Sequence, residues 1–120
     1  MYHKDLTPEE WFKFSTFEQL ANVGCDIGRT IRWKDKGEAE YSEMAFFRAL
    51  ELLSLTIIDP KNRGPQQREL CIARELLIDH FMFDNTYNTS DDEWDRYFYD
   101  FNYAAAIERE KRLSAQKTLS

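Results

Sequence analysis

The sequence predicts an all-α fold, an antiparallel four-helix bundle. Three observations lead there. Apolar residues recur at three- and four-residue spacing through four stretches, helix-starting and helix-stopping residues bracket those stretches, and no segment carries the two-residue alternation of a strand. Short connections between the stretches make sequence neighbours antiparallel neighbours in space.

With 120 residues, 42% hydrophobic and 15% aromatic, residues 1–120 form one domain with a core of its own. Residues 110–120 read as a frayed polar tail. A net charge of −6 argues against a general nucleic-acid binder, which needs a positive face, while leaving room for a local basic patch. Cys25 and Cys71 each fall inside a helical stretch and read as reduced, buried small hydrophobes. MYHKDLTPEE has no apolar signal core and no run reaches membrane-spanning length, so a cytoplasmic protein without membrane contact is expected.

Thr7-Pro8-Glu9-Glu10 starts the first helix with a capping residue, an N1 proline and a capping-box acid. That helix runs toward Gly37, either continuous or broken near Ser15-Thr16, with Phe17, Leu20, Gly24, Ile27 and Ile31 inward. Ala21, Gly24 and Gly28 line one side and read as a groove admitting the next helix closely. The stretch from Glu38 to Ile58 is apolar on most of its circumference, which makes it the expected central helix. It stops at Asp59-Pro60, and DPKNRG is turn chemistry. The third helix covers Pro65 to Phe83, with Leu70, Ala73, Leu77 and Phe81 inward and Ile72, Leu76 and Phe83 broadening the stripe. Ser90-Asp91-Asp92-Glu93 caps a fourth helix that buries Trp94, Phe98, Phe101 and Ala105, beside Tyr97 and Ile107, and frays past Arg109.

This topology sorts charge. One end sets the basic close of the first helix beside Glu38, Glu40, Asp91, Asp92 and Glu93. The other gathers Lys61, Arg63 and Arg68 beside Arg109, Lys111 and Arg112, the candidate positive patch and RNA contact. No cysteine pair has zinc spacing, no Glu-x-x-His occurs and no glycine-rich phosphate loop follows a strand, so no metal or cofactor is expected.

One constellation remains, Arg74-Glu75-Leu76-Leu77-Ile78-Asp79-His80. With WKDKGEAEY and AFFRALELL upstream, it resembles the HEPN family of small helical bundles, many of them partners of minimal nucleotidyltransferases or toxins in toxin–antitoxin pairs. That family's motif is an Arg, usually followed by a polar residue, with a His four to six intervening positions later; Glu75 stands where Asn, His or Asp is commoner. The resemblance covers roughly residues 17–83. It implies metal-independent RNA cleavage at a dimer seam, with His80 moving the proton and Arg74 stabilising charge on the phosphoryl oxygens. Six residues turn a helix so that Arg74 and His80 lie about 120° apart rather than stacked.

Two further readings come from aromatic content. Trp11, Phe12, Phe14, Trp33, Tyr97, Tyr99 and Tyr103 exceed what a small bundle readily buries, and exposed aromatics anchor interfaces. The first reading expected is therefore a dimeric interaction module, and the resemblance implies a nucleotidyltransferase or antitoxin-like protein as further partner. The ribonuclease is the alternative, and a bundle holding a small apolar ligand in its core comes third.

Overall fold

A computed structural model of the chain describes residues 6–119, and the side chains of residues 6–116. It is all-helical, with no strand among the described residues: α1 (Pro8–Trp11), α2 (Thr16–Asp35), α3 (Ala39–Ile58), a 3-10 turn (Pro60–Asn62), α4 (Pro65–Met82) and α5 (Asp91–Leu119). No helix is long and apolar enough to cross a membrane.

The expected caps set the boundaries. Glu10 N donates to Thr7 Oγ1 (3.2 Å), and Glu18 N to Ser15 Oγ (3.1 Å). Ser15 thus starts a new helix, and the first predicted helix is two. Gly37 turns the chain into α3 at φ 78°, a left-handed conformation costly for other residues. Ser90 caps α5, its Oγ accepting from Glu93 N (3.1 Å) and donating to Glu93 Oε1 (3.2 Å).

The expected central helix, α3, packs against α1, α2, the 3-10 turn and α4, and α2 shares the middle with it. Helix α2 packs along α3 on one side and α5 on the other, while α3 carries α4 on its far side. Leu20, Val23 and Ile27 of α2 meet Phe46, Ala49 and Leu53 of α3, Leu70, Ala73 and Leu77 of α4, and Trp94 and Phe98 of α5 in one core. The Gly24 side admits α5, not α3: a Cβ at Gly24 would lie 2.6 Å from Phe98 Cβ. At Gly28 an added Cβ would meet only the mobile end of Arg32.

Several sequence expectations are corrected. Phe17, Ile72 and Phe83 are exposed, because α2 and α4 each bury a narrower stripe than their apolar content suggests. Both cysteines are exposed rather than buried. Cys71 sits on the face of α4 away from Leu70, Ala73 and Leu77. The chain stays helical past Arg109 to Leu119, where Glu, Lys, Arg, Leu, Ala and Gln are all strong helix formers.

A buried polar network ties the elbow between α1 and α2 to the turn after α3. Trp11 Nε1 donates to Thr56 Oγ1 (3.0 Å), and Gln19 Nε2 donates to Asp59 Oδ2 (2.8 Å) and Trp11 O (3.1 Å). Asn62 Nδ2 donates to Thr56 O (2.8 Å) and Gln19 Oε1 (3.3 Å). Lys61 pairs with Asp59 and caps Phe12 O (2.9 Å). Burial alone would raise the Asp59 carboxyl, but hydrogen bonds from Lys61 and Gln19 outweigh it and hold the group below its ordinary value of 3.8.

The two glycines of α2 make opposite predictions. Gly24→Ala forces α2 and α5 apart and should cost about 1–3 kcal/mol of unfolding free energy. Gly28→Ala should be neutral or stabilise by up to about 1 kcal/mol through helix propensity. Urea unfolding of both variants checks the contrast.

Candidate functional site

The C-terminus of α4 is held by a tight loop. Phe83 N donates to Asp79 O (3.2 Å), and Tyr87 N to Asp79 Oδ2 (3.2 Å). Asn85 and Asn88 take left-handed conformations, at φ 52° and 54°, which asparagine tolerates best among non-glycine residues. Asn85 clamps Thr89 from both sides: its Nδ2 donates to Thr89 O (2.8 Å), and its Oδ1 accepts from Thr89 N (3.0 Å). This folding-back brings Thr89 and Asp91 onto His80.

The His80 side chain is only 5% exposed, and both ring nitrogens are engaged. Nε2 lies 2.7 Å from Asp91 Oδ1, and Nδ1 lies 2.9 Å from Thr89 Oγ1. Because a carboxylate only accepts, Nε2 carries a proton. In the neutral ring, Nδ1 then accepts from the Thr89 hydroxyl. In the charged ring, Nδ1 donates instead, and the hydroxyl turns to Asn85 Oδ1, 3.2 Å away. Trp94 Nε1 also donates to Thr89 Oγ1 (3.1 Å), and Lys34 Nζ bonds both Asp91 oxygens (3.1 Å). Burial pushes the Asp91 carboxyl up, but the His80 and Lys34 hydrogen bonds and charges prevail, leaving it below its ordinary value of 3.8.

Arg74 is exposed on α4. The six-residue step sets it and His80 on opposite flanks of the buried Leu70–Ala73–Leu77 stripe. Of the candidate RNA contacts, Lys61 is bound to Asp59 and Phe12 O, and Arg63 and Arg68 are exposed. The basic end does gather Lys13, Lys61, Lys111 and Arg112 around one cleft of about 390 Å³, but Glu18 and Glu108 line it too. No cluster of three His, Cys, Asp or Glu side chains suited to a metal occurs among the described residues.

Between α4 and α5 the backbones stay apart, and a mostly apolar groove of about 290 Å³ opens. Ile72, Ala73 and Leu76 line it from α4, and Trp94 and Tyr97 from α5. Glu69 and Glu93 stand one on each helix at its edges. Ile72 is 61% exposed. The Tyr97 hydroxyl is buried and has no hydrogen-bond partner among the described residues. Burial and the nearby Glu69 charge push its pKa up to about 12.

No family model matches the sequence, and no curated protein or solved structure matches it either. Sequence reading placed Asp91 among first-turn acids and Thr89 in a loop. Only the fold joins them to His80, and no spacing rule would have found the pair.

The pH dependence of Asp91 follows from its direction of shift. A carboxyl held below 3.8 adds stability above that pH and loses it as acid protonates the folded form. Asp91→Asn should therefore lower neutral-pH stability by about 1–2 kcal/mol. The gap should persist down to about pH 5 and close as the pH falls through 3.8 and below. Thermal unfolding from pH 2 to 7 measures it.

Proposed function

We propose that this chain is a dimeric protein-interaction module of HEPN-like or toxin–antitoxin type, built as an antiparallel four-helix bundle. Four long helices would form the bundle, with α1 a short lead-in to α2. The observation that carries the reading is apolar surface left uncovered beside well-covered core. Ile72 stands in the open α4–α5 groove, Phe83 and Tyr87 are exposed at the end of α4 and in the loop after it, and Tyr99 and Tyr103 are exposed along α5. Large aromatic side chains lose little entropy on docking and dominate interface energetics. Partners of this reading are a second copy and a nucleotidyltransferase or antitoxin-like protein in the cytoplasm.

The alternative, metal-independent RNA cleavage by Arg74 and His80, has less support. A general base needs a free nitrogen within reach of the substrate proton. Both nitrogens of His80 are engaged inside the protein, and Arg74 lies on the other flank of the helix. A basic end neutralised by Glu18 and Glu108 also offers little to phosphate.

Size-exclusion chromatography with light scattering tests the reading. The expected mass is twice 14.4 kDa at micromolar concentration. A monomer there contradicts it. Incubation with RNA in chelator should leave the RNA intact, whereas cleavage lost in His80→Ala would restore the alternative.

A further inference from the structure

The walls of the α4–α5 groove repeat with the period of a helix. Glu69, Ile72, Ala73 and Leu76 line it at i, i+3, i+4 and i+7, two turns along one face of α4. Glu93, Trp94 and Tyr97 line it from the first turns of α5. Asp91 bonds His80, so Glu93, two residues further on, stands at the His80 end of the groove. Glu69 stands at the other end, where Tyr97 feels its charge. From Glu69 to Leu76 is seven residues, so the two acids are roughly 10 Å apart along the groove.

Charge decides what suits this surface. No basic residue lines the groove, and neither Glu69 nor Glu93 forms an ion pair among the described residues. The Tyr97 hydroxyl is buried with no hydrogen-bond partner there, so a donor arriving at Glu69 has an unused acceptor beside the carboxylate. A second copy placed face to face on the groove would set these acids against their own equivalents. The cationic end of α5 is engaged at home: Arg112 pairs with Glu18 (3.3 Å), and Lys111 shares their cleft with Glu108. The complement to the groove therefore lies on a different molecule.

We propose that the α4–α5 groove seats a basic amphipathic helix of another protein. Apolar side chains of that helix cover Ile72 and Leu76, and two cations about seven residues apart reach Glu69 and Glu93. Two helices that share a core but stand apart above it leave a furrow, and the ridge of a third helix fits such a furrow. The apolar anchors supply affinity, while the acid at each end fixes where along the groove the partner sits. The inference rests on the interaction-module reading above and gives the partner's chemistry at one face.

The probe is a stapled, fluorescein-labelled alanine helix with two lysines seven positions apart and two leucines between them on the same face. In fluorescence anisotropy the wild type should bind it at least tenfold tighter than an isomer with its lysines on the opposite face. Ile72→Ser and Glu69→Lys alter exposed residues, and each should weaken binding at least tenfold. A peptide with one lysine exchanged for glutamate should prefer Glu69→Lys over the wild type. Circular dichroism melting confirms that both variants fold. Equal binding of the isomer, or binding untouched by either variant, would overturn the proposal. Octylammonium displacing the peptide at equal concentration would make the occupant a small organic cation and overturn the partner helix. Light scattering separates this from self-association. A wild-type dimer that Ile72→Ser splits would make the groove the seam between copies and overturn the partner helix. A wild-type monomer that still binds the peptide would overturn self-association alone.

Discussion

The position of α5 relative to α4 depends on one imidazole. α4 is carried by α3, α5 by α2, and the two outer helices are not packed along their length. Beyond the core that Leu70, Ala73 and Leu77 share with Trp94 and Phe98, the polar link between them is His80 at the end of α4, bonded to Asp91 at the start of α5 and to Thr89 just before it. Leaving a buried donor or acceptor unpaired costs about 1–3 kcal/mol, so the ring and the loop position each other. Because the bond lies at one end of both helices, they are free to stay apart elsewhere. The apolar groove beside Tyr97 is the space that results.

The opposite end uses the same device with different residues. Gln19, Thr56, Asp59 and Asn62 are all buried and hydrogen-bonded, locking the α1–α2 elbow against the turn between α3 and α4. Apolar stripes tolerate sliding, since a leucine packs almost as well one position along. A polar group sealed from water does not tolerate it, because sliding strands its partner. In the middle, Gly24 lets Phe98 approach α2 at backbone distance and fixes the α2–α5 spacing sterically. Register is therefore set at three points, two polar and one steric.

Much of this was legible in the sequence. Caps at Thr7, Ser15 and Ser90, the glycine turn at Gly37 and the stop at Asp59-Pro60 are local chemistry, and local chemistry reads directly. The innermost positions, Leu70, Ala73 and Leu77 of α4 and Trp94, Phe98 and Ala105 of α5, read equally well, because one face of each helix is buried. What did not read was tertiary. Gly24 could have faced any neighbour, and only assembly chose α5. The cysteines and Ile72 looked buried because apolar content predicts burial only when a neighbour exists to cover it. His80 stood out in the sequence as a candidate proton carrier, but its partners are nine and eleven residues away across a loop whose conformation rests on two left-handed asparagines. The same residue that suggests a proton-transfer role in sequence is, in three dimensions, the bolt between two helices.

Nitrogen-resolved NMR of the histidine side chains tests that claim most directly. At mildly alkaline pH the account predicts one imidazole as the Nε2–H tautomer, with that proton exchanging slowly with water and coupled to Asp91. A His80 ring whose Nε2 proton exchanges as freely as that of an open imidazole would contradict it.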